Sequence, residues 1–346
     1  MKIIIDAMGG DHAPNEIVLG ALQAAKEYGV QIILVGKGEQ ILAGMKEKGI
    51  ETLPEGVELA NADDVVDMHV DPAKVVQQHK GSSMVMGLKM LAMGEGDAFI
   101  SAGNTGALLT AATLVVKRIR GIRRAAFSPI IPIGSGSVLI DAGANSECTP
   151  EFLLQFGFMG SFYAQKALNK ANPRVALLNN GAEEGKGDQL HKDAYQLLKK
   201  ASEHGQLNFI GNIEARDVPD GVADVIVADG FSGNVLLKSI EGTALYMAGL
   251  IKGVFKRNLL SKLGYLFCKK GVADMKSKLD YKEHGGSILL GITKPVIKAH
   301  GSSDARAMKS AIRQAITAVK SGYCDDIREN IGAMVLPKED DDAAKS

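Results

Sequence analysis

Residues 2–14 read Lys2-Ile3-Ile4-Ile5-Asp6-Ala7-Met8-Gly9-Gly10-Asp11-His12-Ala13-Pro14. The isoleucines predict a buried β-strand that ends at a carboxylate, the glycines free the backbone for a turn, and the proline suits the first turn of a helix. In an open parallel sheet, this order places unpaired N–H groups and the positive end of a helix dipole where ligands bind. The pattern therefore predicts an anion site containing Asp6, Gly9, Gly10, Asp11 and His12. A helix cap with a buried, amide-bonded carboxylate is the structural alternative.

Apolar runs alternate with helix-periodic stretches along the rest of the chain. Strands are predicted at 2–6, 31–35, 57–60, 98–101, 138–141, 174–178, 207–210, 225–228 and 295–297. Helices are predicted at 16–27, 84–93, 106–116, 151–168, 189–201, 235–255 and 305–320. Together they indicate a mostly parallel sheet covered on both sides, a three-layer, Rossmann-like α/β/α fold. We expect one unit of two intimate lobes around a cleft over 1–336, and an acidic, disordered tail over 337–346.

Composition narrows the classes of function. The 346 residues carry 40 basic and 40 acidic side chains and no tryptophan, which argues against a nucleic-acid partner. The three cysteines are far apart in the sequence, which argues against a disulfide framework and a zinc site. With no leader-like or membrane-spanning apolar run, we expect a cytoplasmic protein.

Polar loops recur where the predicted strands end. Because parallel strands place their carboxyl ends along one edge of a sheet, we expect these loops to meet in one crevice. Ordinary turns built from Asn, Asp and Gly are the alternative for each loop alone. The candidate ligand-binding residues of these loops are Gly103, Asn104, Thr105, Gly106, Asp141, Asn145, Asn179, Gly181, Glu183, Asp229, Gly230, Gly233 and Asn234.

Lys186 lies in a glycine loop that imitates a nucleotide-binding P-loop. The loop is one residue too short between its glycines, and Gly187 stands where a magnesium-binding hydroxyl belongs. A compact cation in such a loop can still face a phosphate or a developing oxyanion. A solvated lysine that balances Glu183 and Glu184 is the alternative.

Two further segments place hydroxyl groups before a predicted helix. They contain Lys80, Ser82 and Ser83, and His300, Gly301, Ser302 and Ser303. Hydroxyls and free amides at a helix start suit a phosphate, and ordinary capping by serine is the alternative.

Known nucleotide and nucleophile motifs are missing from the sequence. Gly134-Ser135-Gly136 lacks the third glycine of a dinucleotide fingerprint and precedes a strand instead of following one. There is no Gly-x-Ser-x-Gly elbow, and no cysteine has a nucleophile context. These observations favour a reaction in which positioned donors hold an oxyanion against an electrophile.

Five loops taken together resemble the bacterial phosphate acyltransferases. They are 6–14, 101–107, 212–217, 229–234 and 298–303, and the resemblance runs from residue 1 to about 330. It implies transfer of a fatty acyl chain from acyl carrier protein to inorganic phosphate, in phospholipid synthesis. It also implies a homodimer with a fold similar to isocitrate and isopropylmalate dehydrogenases and to phosphotransacetylase, without a cofactor or metal. Gln77-Gln78-His79 departs from this family, whose members are usually more basic there.

With this resemblance, we expect Lys186 and Asn104 to stabilise negative charge, and Asp6 and His12 to orient the loops or the phosphate. The serine-and-amide loops would hold the phosphate that attacks the thioester carbonyl. Two other functions remain open: a metal- and NAD-dependent 2-hydroxyacid dehydrogenase on the same scaffold, and a non-catalytic scaffold at a membrane surface.

Residues 250–270 interleave lysines with large apolar side chains and contain no acid. We expect one or two short amphipathic helices within 240–275. Their apolar side would pack in the dimer interface, insert into an anionic membrane surface, or do both. Peripheral membrane association would also bring the protein near a membrane glycerol-3-phosphate acyltransferase, the downstream partner that the resemblance implies.

Overall fold

The computed structural model describes residues 1–132, 136–279 and 285–334. Within these ranges, the strands form one mixed sheet in the order β3-β2-β1-β4-β11-β10-β5-β6-β9-β7-β8. The strands are β1 (Lys2–Asp6), β2 (Gln31–Gly36), β3 (Val57–Asn61), β4 (Ala98–Ser101), β5 (Ala126–Ile131), β6 (Ser137–Ile140), β7 (Val175–Asn179), β8 (Phe209–Glu214), β9 (Val225–Val227), β10 (Ser287–Leu290) and β11 (Val296–Lys298).

Helices follow most of the strands. They are α1 (Asn15–Tyr28), α2 (Gly38–Glu47), α3 (Val75–Gln78), α4 (Ser83–Met93), α5 (Thr105–Ala111), α6 (Pro150–Ala167), α7 (Gln189–Glu203), α8 (Gly230–Lys256), α9 (Leu259–Leu279), α10 (Ala305–Ser321) and α11 (Tyr323–Glu329). All strands and helices predicted from the sequence are present, with boundaries that differ by a few residues. Strands β5 and β10 and helices α2, α3 and α11 were not predicted.

The two parallel parts of the sheet run in opposite directions. Strands β1 to β4 and β11 are parallel to one another, and so are β6 to β9. Between the two parts, β10 pairs antiparallel with β11 and β5, and β5 pairs antiparallel with β6. The expectation that all polar loops meet at one edge is therefore wrong, because the carboxyl ends of the two parts lie at opposite edges.

Side chains alternate between the two faces of the sheet, which produces three layers. Ile3 and Ile5 join the large core beneath α1, α6, α7 and α10. Ile4 points to the other face and packs in a core with α4 and α5. A smaller core on the second half of the sheet includes Leu236 at the start of α8. This arrangement confirms the predicted α/β class and its helix-covered sheet.

A close contact between helices in the first layer depends on a glycine. A Cβ atom at Gly20 of α1 would come within 2.5 Å of the Ala305 carbonyl oxygen and 2.8 Å of the Met308 Cβ. Only a residue without a side chain allows α1 and α10 to approach this closely.

Helices α8 and α9 extend beyond the sheet and pack against each other. Phe255 and Tyr265 meet edge to face across them, with ring centroids 5.3 Å apart. Helix α8 has 27 residues and α9 has 21, so the expectation of short helices is wrong. Large apolar side chains remain exposed, including Leu259 at 82% and Phe267 at 85%.

Two expectations from the sequence fall on residues outside the described ranges: the acidic tail over 337–346, and Gly134 and Ser135. Among the described residues, no helix is both long and apolar enough to cross a bilayer. The described part of the chain also contains no cluster of three His, Cys, Asp or Glu side chains that could hold a metal ion.

Candidate active site

A cavity of about 400 Å³ lies on one face of the sheet, between the middle strands and the first half of α8. Its floor comes from β5, β10 and β11, its wall from α8, and its rim from the loops after β1 and β4. The residues that line it are Asp11, Met68, Thr105, Phe127, Pro129, Ile130, Ile131, Pro132, Ala142, Asn234, Leu237, Lys238, Ile240, Glu241, Ala244, Gly285, Gly286, Ser287, Lys298, Ala299, His300, Gly301 and Ser302.

Six of the residues proposed from the sequence line this cavity: Asp11, Thr105, Asn234, His300, Gly301 and Ser302. The loops after β1 and β11 are joined where the Asp11 backbone N–H donates to the Gly301 carbonyl oxygen at 2.8 Å. His300 Nδ1 and Ser302 Oγ lie 2.9 Å apart. Burial and the nearby Lys238 lower the pKa of His300, so the neutral imidazole is favoured at this rim.

Lys298 is a site residue that the sequence pattern did not single out. It ends β11, is only 9% exposed, and its ammonium group donates to the Ala102 carbonyl oxygen at 3.3 Å and to the Ala299 carbonyl oxygen. Burial lowers the pKa of Lys298 to about 8, against an opposing effect of the charges on Asp6 and Asp11. Among the described residues, it has no carboxylate within 4.0 Å. Lys298 begins one of the loops that carry the family resemblance, but nothing in the sequence distinguishes it from a solvated lysine.

Apolar side chains line another part of the cavity. Ile130, Ile131 and Pro132 contribute from the end of β5, and Leu237 and Ile240 face them from α8. The cavity therefore joins polar and charged groups to a surface that suits a hydrocarbon chain.

Asp6 lies beneath the rim and does not line the cavity. Its carboxylate accepts hydrogen bonds of 2.6 Å from both Ser83 Oγ and Ser101 Oγ. Burial raises the pKa of Asp6, and these two hydroxyl groups act in the opposite direction. Gly9 passes close by, because a Cβ there would lie 2.7 Å from Asp6 Oδ2 and from the Gly103 nitrogen. The cluster shapes the loops that form the rim.

The remaining candidates at this edge have local partners or are exposed. Ser82 caps α4 by accepting from the Val85 N–H. Asn104 caps α5, accepting from the Ala107 N–H at 2.9 Å and donating to the Met68 carbonyl oxygen at 2.7 Å. Gly10, Gly103 and Gly106 are packed at these turns, whereas His12 and Lys80 are exposed and stand outside the lining.

The helix that follows the second serine segment is capped by carboxylates. Asp304 accepts from the Ala307 N–H at 2.9 Å, and Glu16 accepts from the Ala305 N–H at 3.0 Å. Ser303 is buried and donates to the His300 carbonyl oxygen at 2.6 Å. The start of α10 therefore already holds negative charge, and Ser302 is the serine of this segment that reaches the cavity.

The candidates after β6 and β9 hold each other at the opposite edge. Asp141 is buried and accepts from the backbone N–H groups of Phe127 and Asn145 and from the Asn145 side chain. Burial raises the pKa of Asp141. Asp229 caps α8, and Gly230 and Gly233 pack against the backbone of Asn145 and Asp141. Asn234 reaches the cavity, and its side chain donates to the Ala142 carbonyl oxygen at 3.2 Å.

The loop after β7 carries Lys186 and lies outside the lining of the cavity. Lys186 is exposed, and its aliphatic stem folds over Gly181. Asn179 donates to the Lys186 carbonyl oxygen at 3.2 Å, and the Lys186 N–H donates to the Glu183 carbonyl oxygen at 3.1 Å. Glu184 pairs with Lys199 at 3.1 Å, so it is not the neighbour that balances Lys186.

The family described as fatty acid synthesis protein matches residues 1–326. A phosphate acyltransferase of Thermoanaerobacterium thermosaccharolyticum is 46% identical over 332 residues, which cover 96% of this chain and 97% of that protein. One of Thermoanaerobacter pseudethanolicus is 47% identical over 336 residues, covering 96% and 98%.

Solved structures share the scaffold at low identity. A phosphotransacetylase from Streptococcus pyogenes aligns with a TM-score of 0.61 and 20% identity, over 93% of this chain and 94% of that one. A 4-hydroxythreonine-4-phosphate dehydrogenase from Burkholderia phymatum aligns with a TM-score of 0.51 and 13% identity, over 97% and 99%. The fold expected from the sequence, common to phosphotransacetylases and dehydrogenases, is confirmed.

Proposed function

We propose that this chain, which belongs to the fatty acid synthesis protein family and is 46% identical to a phosphate acyltransferase, transfers a fatty acyl group from acyl carrier protein to inorganic phosphate. One observation supports this choice of substrates: a single cavity joins the buried cation of Lys298 to the apolar wall of Leu237 and Ile240. An anionic nucleophile and a long hydrocarbon chain need these two environments side by side.

In the proposed reaction, an oxygen of phosphate attacks the thioester carbonyl carbon. A C–O bond forms, the C–S bond breaks, and the thiolate of the carrier leaves and takes up a proton. The proton comes from the attacking hydrogen phosphate, so the products are acyl phosphate, which serves phospholipid synthesis, and free acyl carrier protein in its thiol form. The protein supplies position and electrostatic stabilisation, and the reaction needs no oxidant and no metal ion.

The roles of individual side chains are part of the proposal. Lys186 and Asn104 would stabilise the oxyanion, and Asp6 and His12 would orient the loops or the phosphate. In the isolated chain Lys186 is exposed, so its role requires the loop after β7 to meet substrate or a second subunit at the rim. Removal of the Lys186 ammonium group tests this role directly.

The reaction is tested with purified protein, long-chain acyl carrier protein and phosphate. Hydroxylamine traps an acyl phosphate as a hydroxamate. The rate of hydroxamate formation should depend on the phosphate concentration and saturate as that concentration rises. A reaction without phosphate is the control for direct hydroxylaminolysis of the thioester. Hydride transfer to NAD from a 2-hydroxyacid, with no hydroxamate, would show the dehydrogenase instead, and the absence of both reactions would favour the non-catalytic scaffold.

The exposed side of the α8 and α9 pair supports two further parts of the proposal. We propose that it forms the homodimer and that its tip, around Leu259, Leu260 and Leu263, contacts an anionic membrane surface from the cytoplasm. Leu259 and Leu260 are 82% and 80% exposed, and lysines flank them at 256 and 262. Apolar side chains beside lysines suit a bilayer surface with anionic headgroups.

Vesicle sedimentation tests this contact. Wild-type protein should sediment with anionic vesicles, and less of it as salt rises, because salt screens the attraction of lysine to lipid. Leu259→Glu combined with Leu263→Glu should abolish sedimentation while light scattering still reports a dimer. Equal sedimentation of a dimeric variant would exclude this tip as the membrane contact.

A further inference from the structure

The floor of the cavity contains a pair of polar side chains that no motif predicted. Ser287 and Lys298 are directly opposite each other in the antiparallel pair of β10 and β11. Opposite residues in such a pair project from the same face of the sheet, with Cβ atoms about 5 Å apart. Both residues line the cavity, so they form one patch on its floor.

Both side chains have unused bonding capacity. The Ser287 hydroxyl is buried and has no hydrogen-bond partner among the described residues. Within the same part of the chain, Lys298 donates only to carbonyl oxygens, although an ammonium group has three donors and a charge. Buried polar groups without partners are uncommon in native proteins, and a bound ligand or ion can supply the missing partner.

The charges around Ser287 and Lys298 limit the chemical class of the ligand. Asp6 lies beneath the rim, and its charge acts on Lys298. Asp11 lines the cavity from the loop after β1, and Lys238 lines it from α8. Lys238 is paired with Glu241 at 2.7 Å, which leaves Lys298 as the buried cation whose charge the described side chains do not pair. A compact anion with several acceptor oxygens matches one ammonium group and one adjacent hydroxyl.

We propose that Lys298 and Ser287 form the phosphoryl subsite of the cavity and hold the inorganic phosphate that attacks the acyl thioester. This inference rests on the proposed function and adds the residues that bind its nucleophile. Ser287 donates a hydrogen bond to an oxygen of the phosphate, which its hydroxyl reaches by rotation about χ1. Lys298 pairs with a second oxygen and keeps the phosphate at the end of the apolar wall.

The main test uses Lys298→Met, which keeps the length of the side chain and removes its charge. We expect the KM for phosphate in acyl phosphate formation, and the Kd for inorganic phosphate by calorimetry, to rise by about 30-fold or more. The KM for the acyl carrier protein should stay within about twofold, because the carrier does not contact this subsite. Lys294→Met is the matched control, because Lys294 precedes β11, stands outside the cavity lining, and should leave both constants unchanged.

Ser287→Ala is the second variant, and it does not depend on the tolerance of the floor for methionine. Loss of one hydrogen bond should raise the same two constants about fivefold. A purely structural serine would leave phosphate affinity unchanged and alter only thermal stability. Unchanged phosphate constants in both folded variants would overturn the proposal.

Calorimetry separates this inference from the proposed function. If wild-type protein makes acyl phosphate and both variants keep its phosphate constants, the function stands and the subsite is wrong. If wild-type protein binds phosphate in a way that depends on Lys298 but makes no acyl phosphate, the subsite stands and the proposed reaction is wrong. Sulfate should compete with phosphate at this subsite in either case, and failure to compete would count against it.

Discussion

Lys298 and Lys186 are the same amino acid in two contrasting places. Lys298 is enclosed at the floor of a cavity, whereas Lys186 is exposed on a loop of glycines and carboxylates. The buried charge costs stability unless something compensates it, but the exposed charge costs nothing and can remain without a function. The difference indicates that enclosure without a carboxylate partner is stronger support for a ligand than a glycine loop around a cation.

Lys186→Ala tests whether an exposed lysine can act in the reaction. We expect the fold to persist and turnover to fall by about a hundredfold or more, the usual scale for loss of one electrostatic stabiliser. Hydroxamate formation at saturating phosphate measures the effect, and circular dichroism checks the fold. Near-normal turnover would show that Lys186 is a solvated side chain without a role in the reaction, in agreement with its exposure.

The pH dependence of the KM for phosphate distinguishes a buried lysine from an exposed one. With its pKa lowered to about 8, Lys298 is charged below that pH and loses its charge above it. The KM for phosphate should therefore rise about tenfold for each pH unit above 8, a limb that a lysine with an ordinary pKa would not show below about pH 10. Lys298→Met should lack this limb, and a limb that survives the substitution would assign it to another group.

Lys298 also affects stability, and the sign is opposite to that of a normal salt bridge. Its pKa is lower in the folded protein than in the unfolded chain, so the unfolded chain binds more protons between pH 8 and 10.5. The free energy of unfolding should rise with pH across that window, by at most about 3 kcal/mol. Lys298→Met should flatten the rise in denaturant titrations, whereas an unchanged rise in the variant would contradict this assignment.

Ser302 and Asp304, two neighbours in the loop before α10, should differ in what their removal changes. Ser302→Ala should raise the KM for phosphate a few fold at unchanged turnover, because a hydroxyl that binds ground and transition states equally affects only KM. Asp304→Ala is the comparison variant and should cost about 1 kcal/mol of stability through loss of the helix cap. A variant of Ser302 with unchanged phosphate dependence would limit that serine to a local hydrogen bond with His300.

The pattern of apolar residues predicted most strands and helices correctly. It failed at β5, where Pro129 inside a short run argues against a strand, and it also missed β10. Both missed strands form the antiparallel centre of the sheet, so the reversal between its two halves could not be predicted either. The periodicity of a strand carries no information on its direction.

The candidate site was predicted in part for a related reason. Six residues named from loop composition line the cavity, because Gly, Ser and Asn at strand ends are readable in the sequence. Lys298 and Ser287 were missed because their significance arises only from burial and from pairing between two strands. Asp141 and Asn145 were named for a ligand, and the structure shows them bonded to each other and to nearby backbone.

The position of β11 in the sheet affects the order in which the protein folds during its synthesis on the ribosome. This strand lies between β4 and β10, so the first half of the sheet stays open beside β4 until nearly three hundred residues have been made. The floor of the cavity is complete only when β11 pairs with β4 and β10. A nascent or truncated chain therefore acquires its proposed capacity to hold phosphate as one of the last events of synthesis.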